Sequence, residues 1–213
     1  MCKYPDTIIR KGEKMSDIKL FREKLSEFSR RSYGRNLVAG TGGNLSVRIP
    51  DTDTVLVTPT GISLGDVAPD ENVLVNLEGE VIDSPLGLKG SKETGFHLIA
   101  YRLRPDVGAI AHLHPPYATA YANKMKPLPM VTVSAIANLK HVPCIASFSA
   151  GSQDLRDAVE EGLNKNPDIN TLLMEEHGIL AMGKDLKHAY YLADLTEDTA
   201  KIAYVAATIP DML

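Results

Sequence analysis

Val107-Gly-Ala-Ile-Ala-His-Leu-His-Pro-Pro116 runs from apolar residues into two histidines and stops at two prolines. A short apolar run closed by proline predicts a half-buried strand. On a strand, side chains at i and i+2 leave the same face, so His112 and His114 project together. Two imidazoles on one face can serve as paired ligands for a borderline metal such as zinc. A second apolar run, Thr171-Leu-Leu-Met-Glu-Glu176, leads to His177, and Gly178 then permits a sharp turn. Three such ligands and one open position would make a catalytic metal site.

Working outward, Ser16 is placed to cap a helix over residues 17–33, with Ile18, Phe21, Leu25 and Phe28 on one face and Gly34 as the stop. The glycine-rich turn Ala39-Gly-Thr-Gly-Gly-Asn44 enters a strand over 45–49, followed by another over 54–58. A hairpin is expected at 72–77 and 80–82, turned by Glu78-Gly79. Ser91 is read as the cap of a helix from Lys92 to about Arg104, stopped by Pro105. Further helices are expected over 117–122, 153–163 and 186–207. Further strands are expected over 130–133, 171–175 and 178–182. Hairpins mixed with helices suggest an α+β fold or a three-layer α/β/α fold.

The chain has 213 residues, 44% hydrophobic and 23% charged, which suits one sizeable domain with a full core. A net charge of −4, without a run of Lys and Arg, argues against a nucleic-acid surface. Two cysteines, Cys2 and Cys144, argue against a disulfide framework and fit a reducing cytoplasm. No stretch reaches the roughly 18 apolar residues needed to span a bilayer, so no membrane association is expected. Residues 1–15 read as a flexible tail, with Met15 a possible second start, and 16–213 as the domain. The expectation is a cytoplasmic protein.

Glu93 lies in Gly90-Ser-Lys-Glu-Thr94, on the expected opening turn of a helix. Taken alone it reads as a first-turn carboxylate, a common helix feature. Facing the histidines, it reads instead as a metal ligand or general base. The segments Gly40-Thr-Gly-Gly-Asn44 and Thr58-Pro-Thr-Gly61 read singly as tight turns. Together, their small residues and free N–H groups could cradle a phosphate. His97, four residues after Glu93, reads as a helix residue without a metal role, although a hydrogen bond that supports Glu93 is open to it. His141 and His188 read as exposed. Glu175 and Glu176 read as a solvated pair, either of which could orient an imidazole.

Gly-Asn-Leu-Ser at 43–46, Thr-Pro-Thr-Gly at 58–61, Ser-Lys-Glu at 91–93, His-Leu-His-Pro at 112–115 and Glu-His-Gly at 176–178 occur in one order. In this order and spacing the chain, from about residue 17 to 207, resembles the class II aldolase/adducin family. The resemblance implies a three-layer α/β/α fold with a central, mostly antiparallel or mixed sheet flanked by helices. It implies one zinc ion per subunit on His112, His114 and His177, with manganese or cobalt as alternatives. Glu93 would ligate the empty site, then leave the metal to act as acid/base. Asn44, Thr60, Gly61 and Ser91 match positions that hold the substrate phosphate, and Lys92 stands beside them. The implied partners are a small phosphorylated sugar or keto-acid, and sister subunits in a homotetramer with interfacial active sites.

Two departures bear on the activity. Where sugar-phosphate aldolases often read Ser-Ser-Glu, Lys92 adds a positive charge that suits a substrate carrying a carboxylate as well as a phosphate. Ser-Lys-Glu resembles the branch that decarboxylates 3-oxo-tetronate 4-phosphates. The segment near Val133 and Ser134, where aldolases of this group carry a tyrosine for a neighbouring subunit, has none. The expected activity is a zinc-dependent lyase, an aldolase that cleaves a small phosphorylated ketose through a metal-stabilised enediolate. Decarboxylation at the same site is the alternative. Ranked lower are a sugar-phosphate 4-epimerase, a sulphur-salvage dehydratase and a non-catalytic adducin-like interaction domain.

Overall fold

The computed structural model describes residues 13–210. The strands are β1 (Asn44–Arg48), β2 (Thr54–Val57), β3 (Val73–Asn76), β4 (Val81–Asp83), β5 (Ala109–Leu113), β6 (Cys144–Ile145), β7 (Thr171–Met174) and β8 (Gly178–Gly183). They form one sheet in the order β4-β3-β2-β1-β5-β8-β7-β6. Every neighbouring pair is antiparallel except β6 and β7, which are parallel. The helices are α1 (Glu13–Gly34), α2 (Thr94–Leu103), α3 (Pro116–Ala122), α4 (Val133–Asn138), α5 (Gln153–Lys165) and α6 (Leu186–Thr208).

The two-residue period of the strands sorts side chains into two cores. Ala109, Ala111 and Leu113 of β5, with Leu45 and Val47 of β1, face the layer that holds Leu25 and Phe28 of α1 and Leu192 and Ala193 of α6. Ile110 of β5, Val55 and Val57 of β2 and Leu172 of β7 face Phe96 and Tyr101 of α2 and Leu155 and Val159 of α5. Helices therefore cover both faces of a mixed sheet, which is the α/β arrangement expected. The same alternation turns Asn44, Ser46 and His112 towards α2.

Several expectations are corrected. The helix read as starting at Asp17 begins at Glu13, so Ser16 lies within α1 and does not cap it. Only residues 1–12 of the expected tail, Cys2 among them, lie outside the described residues. Residues 130–133 do not form a strand. Thr132 instead accepts a hydrogen bond from the Ala135 N–H at 3.1 Å and caps α4, because local capping satisfies backbone donors that no neighbouring strand meets. β6 was not anticipated; two residues are too few to show a period.

The start of α2 also differs. The helix begins at Thr94, with Glu93 at the N-cap position and Ser91 outside it. The Ser91 hydroxyl accepts the Glu93 N–H at 3.2 Å, and its carbonyl accepts the Thr94 N–H at 3.1 Å, so residues 91–94 form a turn. Among the described residues no helix is long and apolar enough to cross a membrane.

Candidate metal centre

β5 carries His112, fully buried, and His114 follows one residue past its end. Their Nε2 atoms lie 3.0 Å apart. β7 and β8 are joined by Glu175-Glu176-His177, which brings His177 beside His112 with ring centroids 4.7 Å apart. From the opposite layer Glu93 enters at the head of α2, 8% exposed. Its Oε2 lies 3.2 Å from His112 Nε2 and its Oε1 2.9 Å from His177 Nε2. Each of the four residues offers one ligand atom, and all four atoms lie within 4.8 Å of one another.

Three observations show that this set fits a divalent cation. The His112 Nδ1 lies 3.0 Å from the Ile179 carbonyl, which can only accept, so Nδ1 carries the proton. In the neutral ring Nε2 is then a lone pair, directed at a carboxylate and another imidazole. Secondly, Glu93 Oε1 is buried and has no hydrogen-bond partner, although His177 Nε2 is close. Thirdly, lone pairs converging at this separation repel unless protons or a cation sit among them. The donor set, three imidazoles and a carboxylate, suits zinc and its neighbours.

The electrostatics agree. Burial alone would push the Glu93 carboxyl up, but the His112 and His177 imidazoles, when they carry the protons that a cation would displace, outweigh it and hold the group well below the usual carboxylate range. Burial, then the neighbouring imidazoles, push His114 down to about 3, so its nitrogen is free for a metal at neutral pH.

Behind Glu93, Asn44 of β1 is buried and donates from Nδ2 to Glu93 Oε2 at 2.9 Å. Its amide thus faces the carboxylate. Glu93, His97 and Tyr101 recur every four residues, one stripe of α2 laid along β1. Ser46 Oγ lies 2.7 Å from His97 Nδ1 and 2.8 Å from the Tyr101 hydroxyl. His97 therefore engages Ser46, not Glu93, and is fully buried. The Ser46–Tyr101 contact escaped the sequence reading, although the i, i+4, i+8 spacing was its signal.

The remaining expected residues lie on two paired segments. The Ser91 N–H donates to the Thr58 carbonyl and the Thr60 N–H to the Lys89 carbonyl, both at 3.0 Å, so the two segments run side by side into Glu93. Thr60, Gly61 and Lys92 are exposed and Ser91 is half-buried. Gly61, at φ 77°, has open space where a Cβ would stand. The Glu175 carboxylate accepts the Ser147 N–H at 3.0 Å, so it does not orient an imidazole. His141 is exposed as expected, whereas His188 is half-buried and accepts the Lys184 N–H at 3.2 Å.

Residues 23–204 match the sequence profile of the Class II Aldolase and Adducin N-terminal domain. A 5-deoxy-D-ribulose 1-phosphate aldolase of Bacillus thuringiensis serovar kurstaki is 32% identical over 188 residues, covering 88% of this chain and 86% of that protein. A 3-oxo-tetronate 4-phosphate decarboxylase of Haemophilus influenzae is also 32% identical, over 191 residues, covering 86% of each. Among solved structures, an L-fuculose 1-phosphate aldolase superposes with a TM-score of 0.81 at 28% identity, covering 92% of each chain.

Proposed function

We propose, from the premise that this chain belongs to the class II aldolase and adducin family, that it is a metal-dependent carbon–carbon lyase cleaving a small phosphorylated ketose. The observation that carries the reading is the buried Glu93 carboxylate held among His112, His114 and His177. These four residues would hold the cation, zinc by ligand type, with manganese or cobalt as alternatives. Bound there, a divalent cation supplies Lewis acidity to a substrate carbonyl.

The chain's own residues account for the rest. Glu93, kept ionised, takes or returns a proton at the carbon beside that carbonyl. In cleavage, the bond from this carbon to the neighbouring carbinol carbon breaks. As it breaks, Glu93 takes the proton of the carbinol hydroxyl, whose carbon leaves as an aldehyde; the electron pair stays on the first carbon as an enediolate, and Glu93 returns that proton to it. Asn44 fixes the carboxylate through Oε2. The hydroxyls of Thr60 and Ser91 and the backbone N–H of Gly61 are the proposed phosphate contacts, with Lys92 as a nearby charge.

A second reading is favoured by Lys92 itself. Exposed beside Ser91, it suits a substrate carboxylate, and the decarboxylase relative is as similar as the aldolase. Loss of carbon dioxide from a 3-oxo-tetronate 4-phosphate leaves the same enediolate, which Glu93 or a water reprotonates. The exposed apolar side chains of Val133, Ile136, Tyr204 and Ile209 support assembly with sister subunits as a homotetramer.

The test is a matched assay of metal-loaded protein on ketose 1-phosphates and on the keto-acid phosphate. Dihydroxyacetone phosphate release without carbon dioxide release supports the aldolase. Carbon dioxide release that Lys92→Ser abolishes supports the decarboxylase. Glu93→Gln should lower kcat on the productive substrate by about 10²–10⁴-fold. Undiminished turnover would remove Glu93 from the chemistry.

A further inference from the structure

His177 closes the turn between β7 and β8, its N–H donating to the Met174 carbonyl at 3.1 Å. The residue before it, Glu176, has φ 54°, in the left-handed region. A side chain there is strained, and glycine would avoid the strain. The chain places glycine at 178 instead, where a Cβ would run into the Leu113 carbonyl. Glu176 therefore needs an external hold to keep His177 directed at Glu93.

That hold comes from α3. The Glu176 N–H donates to Asn123 Oδ1 at 2.8 Å, and Asn123 is the residue that ends α3. The other end of α3 starts two residues after His114, where Glu197 of α6 accepts the Tyr117 N–H at 3.1 Å and the Ala118 N–H at 2.9 Å. This helix thus runs from one histidine of the cluster to the turn that bears another. Both of its ends are fastened by side-chain oxygens.

We infer that Asn123 is a positioning residue for the metal centre, holding Glu176 in its left-handed conformation so that His177 Nε2 meets Glu93 and His112. The inference rests on the metal reading proposed above. Asn123 is not one of the four cluster residues; it acts through the turn.

The test titrates cobalt(II) into the metal-free full chain and reads its visible absorption and midpoint. The unaltered protein is compared with Asn123→Ala, Asn123→Asp, Glu176→Gly and the double variant Asn123→Ala/Glu176→Gly. Asn123→Ala should weaken cobalt binding about tenfold while the Tm of the metal-free protein barely moves. Asn123→Asp keeps an acceptor oxygen and should restore the midpoint. Glycine at 176 needs no hold, so the double variant should lose far less relative to Glu176→Gly alone. An Asn123→Ala midpoint and spectrum equal to the unaltered protein's, or an equal loss in both backgrounds, would overturn the role. If the unaltered protein takes up no cobalt, the metal reading falls, and this role with it.

Discussion

Asn44 Nδ2 lies 2.9 Å from Glu93 Oε2, tying the first residue of β1 to the residue that opens α2. The carboxylate thereby has one oxygen held by an amide and the other without a hydrogen bond, beside His177. A charged acceptor fixed on one side and free on the other is arranged to share its free oxygen with a cation or a proton.

Removing that tie should be felt in turnover. A hydrogen bond to a charged group contributes about 1.5–3 kcal/mol, so Asn44→Ala should lower kcat by about tenfold or more with a smaller change in KM. Steady-state kinetics on the productive substrate would check this. An unchanged kcat with a raised KM would put Asn44 on the substrate phosphate instead.

Acid should destabilise the fold through His97. Burial, then the nearby His112, push its pKa down to about 3 from the usual 6.5. Below pH 6.5 the unfolded chain takes up this proton and the folded chain does not, so stability falls with falling pH until about pH 3. The slope is roughly 1.4 kcal/mol per pH unit for one such histidine. Urea midpoints at pH 7 and pH 5 should show the fall, and His97→Gln should reduce it. Equal pH dependence in both proteins would refute the assignment.

Chelation should soften the protein. A ligand that binds only the folded state at 100 times its Kd stabilises by about 2.7 kcal/mol. Thermal melts with zinc and with a chelator should therefore differ by several degrees, and the difference should shrink in His177→Ala. Superimposed melts of the unaltered protein would argue for a cluster held by protons alone.

Gly178→Ala should damage both the sheet and the site. A Cβ there would stand 2.9 Å from the His114 ring and closer still to the Leu113 carbonyl, between β8 and the end of β5. Overpacking of this kind costs about 1–3 kcal/mol, and His114 would be displaced from the cluster. Chemical denaturation together with a metal titration would report each effect. A variant with both values intact would mean that the strands can part at no cost.

Much of this was legible in the residues. The period of two in β5 paired His112 with His114, and the apolar run before Glu176 placed His177 between two strands. Both readings rest on local backbone geometry, which adjacent residues carry within themselves. The family motifs supplied the rest of the candidate set, Glu93 included. Local rules failed where a cap competed with a strand, as at Thr132, and where a strand was too short to show a period, as at Cys144 and Ile145.

Only the tertiary structure decided which atoms meet. Nothing in the order of residues states that Asn44 turns its amide to Glu93, that His97 bonds to Ser46, or that Asn123 reaches the turn before His177. Those contacts span 49, 51 and 53 residues of chain. They exist because α2 packs on one face of the sheet and α3, with α6, on the other. A side chain's type and period can be read along a chain, but its partner is set by how whole elements pack.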